Sequence, residues 1–266
     1  MSATTLAGRI ASEVCGDVGA IVIENPRQRN ALTREMCLEL AKQVRRLDAD
    51  PSVKVITLRG SGQDFSAGAA INELHQVLFD ESPDGETIDH LSAADAAIGA
   101  ARKPTVALVR GTCMGGGWQI ASACDISIAA DSVKLAVTPS KLGIIYPRSG
   151  VERLVQRLGA DKAKYVLFSA DLIPAEKAAA WGLLTDVVPE ADFEALSQGL
   201  VARMATRSQY SIHTMKKLID SLVSGSGTED ELWREEWAKL PDSEDFAVGQ
   251  RAFLEGGGRP RFTWGD

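Results

Sequence analysis

Along the first 150 residues, short apolar runs alternate with stretches in which apolar residues recur every three or four positions. "RIASEVCGDVGAIVIEN" is two such runs around a Gly-Asp turn, which predicts a β-hairpin. Met36, Leu40, Val44 and Leu47 then fall at helical spacing, with Thr33 placed to cap the helix and "DADPS" to stop it. "KVITLRG", "TVALVRG" and "ISIAAD" read as short buried strands. "SGQDFSAGAA" is a Gly/Ser loop, after which Ile71 to Leu78 reads as helical. Asp80 to Asp89, "DESPDGETID", is acidic and turn-rich and reads as a surface segment. Beyond Gly150 the pattern is helical, from "VERLVQRLG" to "SEDFAVGQRAFLEGG". Strands that alternate with helices, followed by helices alone, predict an α/β core with a helical C-terminal portion. We place the core at residues 1–200 and the helical region at 201–266. No internal repeat is visible.

Composition narrows the function classes. The chain has 266 residues, 45% of them hydrophobic, enough for one large domain or a domain with an appendage. A net charge of -7 argues against a nucleic-acid partner, while a local field for an anionic ligand stays open. No run reaches the roughly 18 apolar residues of a membrane span. "MSATTLAGRIASEV" lacks a basic region followed by an apolar core, so a cytoplasmic protein with no membrane partner is expected. Cys15, Cys37, Cys113 and Cys124 form no CxxC, and with only three histidines no metal-ligand spacing is present. Buried, reduced thiols are the expectation.

Two segments share a form: a strand, then small residues, then a helix. They are "VITLRGSGQDFSAGAAINEL" and "VALVRGTCMGGGWQIASACD". Small residues let a ligand touch the backbone, and helix N-termini present unpaired N–H groups. Two such donors aimed at one oxygen would stabilise an oxyanion. Close-packed turns are the plainer reading of each cluster alone.

With "NPRQRNALTREMCLEL", "FSAGAAINEL", "GTCMGGGWQIASACDISIA" and "IPAEKAAAWGLLTDVVP" in this order, the chain resembles the crotonase superfamily, the enoyl-CoA hydratase/isomerase group, over nearly its whole length. The resemblance implies a spiral of ββα units with a C-terminal helical trimerisation region. It implies a trimer or a dimer of trimers. It also implies an acyl-CoA or acyl-carrier thioester substrate, with no cofactor beyond the coenzyme A that the substrate carries. It assigns the thioester oxygen to the N–H groups of Ala69 and Gly116, within the turns of Gly68, Gly115 and Gly117. The adenine part of CoA falls near Ala67 and Ile71. "RAFLEGGGRPRF" resembles the terminal segment that reaches a neighbouring subunit's CoA, so Phe253 is a candidate contact, with a plain core role as the alternative.

The chain departs from the family where hydratases carry two glutamates. The first position is Gln119. The second falls on Pro139 or Ser140 in "TPSKLG". A glutamine can hold a water molecule but cannot take its proton at neutral pH. Loss of carbon dioxide yields an enolate without proton abstraction. A carboxylate 4 Å from a malonyl-type substrate would repel it by about 4 kcal/mol at an effective dielectric of 20, so missing acids favour such a substrate. "TPSKLGIIYPRSGVERL" resembles the same stretch of methylmalonyl-CoA decarboxylase, whose tyrosine serves the reacting carboxylate; Tyr146 matches it. That enzyme has histidine where this chain has Ala69. The expectation is a lyase that decarboxylates a malonyl- or methylmalonyl-type thioester. The alternatives are a hydratase or isomerase using Glu73, Asp80, Glu81 or Glu152, and a non-catalytic acyl-CoA-binding protein.

Overall fold

The hairpin forms where the apolar pattern puts it. β1 (Arg9–Cys15) pairs antiparallel with β2 (Val18–Glu24). The computed structural model describes residues 8–225, 227–256 and 260–262. Parts of "MSATTLAGRIASEV", of "RAFLEGGGRPRF" and of the 201–266 region lie outside the described residues.

α1 (Arg34–Ala49) follows, with Thr33 Oγ1 accepting from Met36 N at 3.3 Å and the four spaced apolar residues buried. Such a cap contributes about 1 kcal/mol. β3 (Val55–Gly60) lies parallel to β2. α2 (Leu74–Leu78) leads to a ribbon of β4 (Asp80–Glu81) and β5 (Thr87–Ile88), so the acidic segment is partly structured. Its last residue, Asp89, accepts from Ser92 N at 2.9 Å and caps α3 (His90–Gly99).

β6 (Thr105–Val109) lies parallel to β3. β7 (Thr112–Met114), α4 (Gly116–Ala123), β8 (Ile126–Ala130) and β9 (Lys134–Ala136) come next. β7 and β9 form a small second sheet. α5 (Pro139–Leu142), α6 (Arg148–Leu158), α7 (Ala160–Ser169) and α8 (Ala175–Trp181) precede β10 (Asp186–Val188). The main sheet therefore runs β1-β2-β3-β6-β8-β10, parallel apart from its hairpin.

Both faces of this sheet are covered, which is why its central strands are apolar at successive positions. Ile56, Leu58, Ala107 and Val109 join the larger core with α1, α3 and α4. Their neighbours Val55, Val106, Ile128 and Ala130 point the other way, onto Phe193, Val201 and Ala205 of α9 (Phe193–Ala205). The boundary read between residues 200 and 201 thus falls inside α9. α10 (Gln209–Ser224), α11 (Glu229–Lys239) and α12 (Glu244–Leu254) follow, with Trp233, Trp237 and Phe246 exposed. Cys37, Cys113 and Cys124 are buried and free, and burial pushes their thiols well above the ordinary value. Cys15 is free but exposed at the end of β1, contrary to the expectation for all four.

Candidate active site

The first glycine-rich loop is held from beneath by Asn30, which is fully buried at φ +58°. Its Oδ1 accepts from Asn25 N and Ser61 Oγ, and its Nδ2 donates to the carbonyls of Ser61 and Asp64. The Asn30 carbonyl accepts the Ser66 hydroxyl at 2.7 Å, and Ser66 Oγ accepts from Gly68 N at 3.1 Å. Leu32 then grips the loop on either side of one residue: its N–H donates to Gly68 O, and its carbonyl accepts from Ala70 N. That pattern spends the amide of Ala70 and leaves the N–H of Ala69 with no acceptor among the described residues.

The second loop is tied to the first. Ser66 N donates to Thr112 O, and Met114 N to Ser66 O. Gly115 N donates to Ala136 O, with Gly115 at φ +46° and ψ -109°, a region open to glycine. The next residue, Gly116, starts α4, so its N–H has no intrahelical partner. The two loops touch. A Cβ on Gly68 would lie 3.0 Å from Gly116 N, and one on Gly116 would lie 3.1 Å from Ala69 N. Ala69 and Gly116, which carry the two free amides, both line one cavity of about 90 Å³. The N-terminus of α4 adds partial positive charge there. Chemically, such a pair can bind one oxygen on which negative charge develops.

Of the residues singled out from sequence, Ala67, Gly68, Ala69, Ile71, Gly115, Gly116, Gln119, Pro139 and Tyr146 line this cavity. Three do not. Gly117 packs on the Ser66 carbonyl, where a Cβ would come within 2.3 Å. Ser140 points to solvent on α5, and Phe253 is 89% exposed on α12. Of the four candidate acids, none lines the cavity. Asp80 is bound to Arg34 and His90, Glu152 pairs with Arg148, and Glu73 and Glu81 lie outside it. Apolar walls come from Leu74, Leu78, Leu91 and Ile144. Thr138 also lines it, and its hydroxyl has no partner among the described residues. Thr138 stood in the quoted "TPSKLG" stretch, but only its fold position next to Gly115 marks it.

Tyr146 shares the cavity wall with the second loop. Its hydroxyl donates to the Gly115 carbonyl at 2.9 Å. In this structure its one proton is engaged by the backbone. The carbonyl of Gly115 and the N–H of Gly116 belong to the same planar, trans peptide unit. Holding the oxygen on one side aims the N–H to the other, and a hydrogen bond to the oxygen polarises the N–H. The ring packs against Gly150, where a Cβ would come within 2.4 Å, and lies 6.5 Å from the Trp118 ring. Burial lifts the phenol well above its ordinary value, so it stays protonated. A larger cavity of about 560 Å³, lined by Gln209, Tyr210, His213 and Asp245, lies among α10–α12, apart from both loops. Among the described residues, no three His, Cys, Asp or Glu side chains are grouped to hold a metal, and no helix is long and apolar enough to cross a membrane.

An α/β core that brings two successive glycine-rich loops to the wall of one cavity is the arrangement of the crotonase class. Residues 13–265 match the enoyl-CoA hydratase/isomerase family, and the chain belongs to it. It is 31% identical to a probable enoyl-CoA hydratase of Mycobacterium bovis, over 92% of this chain and 94% of that protein. It is 30% identical to a crotonyl-CoA hydratase of Syntrophomonas wolfei, over 75% and 76% of the two chains. A solved structure described as an enoyl-CoA hydratase/isomerase family member superposes with a TM-score of 0.94 at 50% identity, covering 98% of both chains.

Proposed function

We propose that this chain acts on an acyl-CoA or acyl-carrier thioester through an enolate held by the N–H groups of Ala69 and Gly116. We further propose that the enolate forms by decarboxylation of a malonyl- or methylmalonyl-type substrate. The observation that supports this reading is the polar content of the cavity. Besides the two amides, the described lining residues contribute the Thr138 and Tyr146 hydroxyls and the Gln119 amide, and no carboxylate or imidazole. Loss of carbon dioxide leaves its electron pair on the α-carbon and thioester, so no side-chain base is required; a proton from water then completes the product. With the Tyr146 proton engaged, the free Thr138 hydroxyl is the donor that would hold the leaving carboxylate.

Hydration of an enoyl thioester is the second reading. It is favoured by the names of the relatives and by Gln119, whose Oε1 is buried and unpartnered and can hold a water molecule. A panel of thioesters assayed for carbon dioxide release and for water addition separates the two. Release from methylmalonyl-CoA without hydration of crotonyl-CoA is the expected result. Efficient hydration without release would overturn decarboxylation, and binding without turnover of either would leave a non-catalytic acyl-CoA-binding protein. We also propose a homotrimer or a dimer of trimers, with the apolar residues of α11 and α12 covered in the assembly.

A further inference from the structure

One carboxylate reaches the cavity only through another side chain. Asp95 on α3 is 2% exposed. Its Oδ1 accepts from Arg153 Nη2 at 2.6 Å. Its Oδ2 accepts the Ser149 hydroxyl and, at 3.4 Å, Gln119 Nε2. Arg153 also donates to Ser122 Oγ and to the Gln119 carbonyl. Helices α3, α4 and α6 thus meet in one polar knot behind the cavity wall.

The chemistry of this knot sets which way round the Gln119 amide lies. An ionised carboxylate only accepts hydrogen bonds, so it faces Nε2. Oε1 is then left on a fully buried side chain that lines the cavity, and it has no partner. A buried carbonyl oxygen without a donor is an unmet requirement that a ligand or water can fill. A carboxylate cannot fill it, because both groups are acceptors. A hydroxyl can.

We propose that Asp95 is a positioning residue for Gln119, and that through it the acyl cavity selects a hydrogen-bond donor, a hydroxyl on the acyl chain, beside the two loop amides. This rests on the reading of the cavity as an acyl-thioester site. It divides the acyl end in two: an acceptor wall at Gln119 for a hydroxyl or water, and a donor wall at Thr138 for a carboxylate. If Asp95 instead only neutralises Arg153, replacing it weakens all thioesters alike.

Calorimetric binding of saturated thioesters tests this without turnover. Butyryl-CoA is compared with its 2-hydroxy and 3-hydroxy derivatives. The wild-type protein should bind one hydroxy derivative roughly tenfold more tightly than butyryl-CoA, the typical worth of one buried hydrogen bond. In Asp95→Asn, with Arg153 still donating to the side-chain oxygen, the new NH2 group faces Gln119 and turns its amide. The hydroxyl preference should then fall to about onefold while butyryl-CoA affinity holds. Gln119→Leu should lose the preference too, with the Asp95–Arg153 pair intact. If Asp95→Asn does not fold, the double variant Asp95→Asn/Arg153→Gln removes both charges together and should lose the same preference. A preference retained in the Asp95 variants, absent from wild type, or lost only along with butyryl-CoA binding overturns the proposal. If no acyl-CoA binds the wild type, the acyl-thioester reading itself fails, and this one with it.

Discussion

Replacing Tyr146 with phenylalanine separates two roles for one hydroxyl. In the structure it donates to the Gly115 carbonyl at 2.9 Å. That oxygen also accepts from Gln119 N at 3.0 Å, so the substitution does not orphan it. The stability cost is thus the net worth of one hydrogen bond, about 1 kcal/mol, rather than the larger penalty of an unsatisfied buried group. The ring's contacts with Gly150 and Trp118 survive. For a chain of this size, that is a fall in Tm of roughly 2–4 °C. The kinetic effect comes through the shared peptide plane. Loosening the Gly115 oxygen lets the Gly116 N–H wander, which weakens one of two donors without removing it. Removing a donor to an oxyanion outright typically costs about 10²–10³ in rate. Weakening it by about 1.4 kcal/mol costs roughly tenfold. We therefore expect kcat to fall about tenfold, together with the drop in Tm. The assay is steady-state turnover of whichever thioester the panel identifies, beside thermal unfolding of the same preparations. A loss of 10²-fold or more with unchanged Tm would mean that the hydroxyl touches the substrate, and would refute the backbone role. No change in either quantity would mean that the bond to Gly115 is incidental.

Three further outcomes are expected. Gly116→Ala places a Cβ 2.7 Å from Leu91 Cδ2 and 3.1 Å from Ala69 N, so turnover should fall by about 10²–10³ while far-UV circular dichroism stays native; activity within a few-fold of wild type would refute the two-amide site. Asp80 is held down to about 2, first by its hydrogen bond with His90 and then by Arg34. Its folded pKa is depressed, so its contribution to stability is present above the ordinary 3.8 and is lost as pH falls through about 2. The Tm of wild type should therefore exceed that of Asp80→Asn at about pH 5, with the gap closing toward pH 2; a constant gap would argue against it. Sedimentation at micromolar concentration should report a trimer or hexamer, and a monomer would rule out the proposed assembly.

Much of the architecture was legible because it is local. Thr33 before Met36, Leu40, Val44 and Leu47 predicts α1, and the structure caps and buries it so. The strands of the central sheet are apolar at successive positions because helices cover both of its faces. α3 is absent from the expected elements, although Leu91, Ala94 and Ile98 recur at helical spacing and Asp89 caps it. The acidic, turn-rich run before it has the composition of a loop, which masks the helix start. β7, β9 and β10, three residues each, are too short to carry a period.

The chemistry divides along the same line. Sequence alone determined the two glycine-rich loops, the crotonase likeness, and the loss of acids at Gln119 and Pro139/Ser140, because each is a matter of residue type at a local position. It also singled out Tyr146, but not the partner of its hydroxyl. Only the tertiary structure spent the phenol's proton on the Gly115 carbonyl, 31 residues back in the chain. Only it brought Asp95 to Gln119, Ser149 and Arg153, at separations of 24, 54 and 58 residues. The physical reason is one of range. Propensity, capping and turn chemistry act within a few residues, whereas a hydrogen-bond partner is chosen by whichever donor or acceptor the packing leaves within about 3 Å.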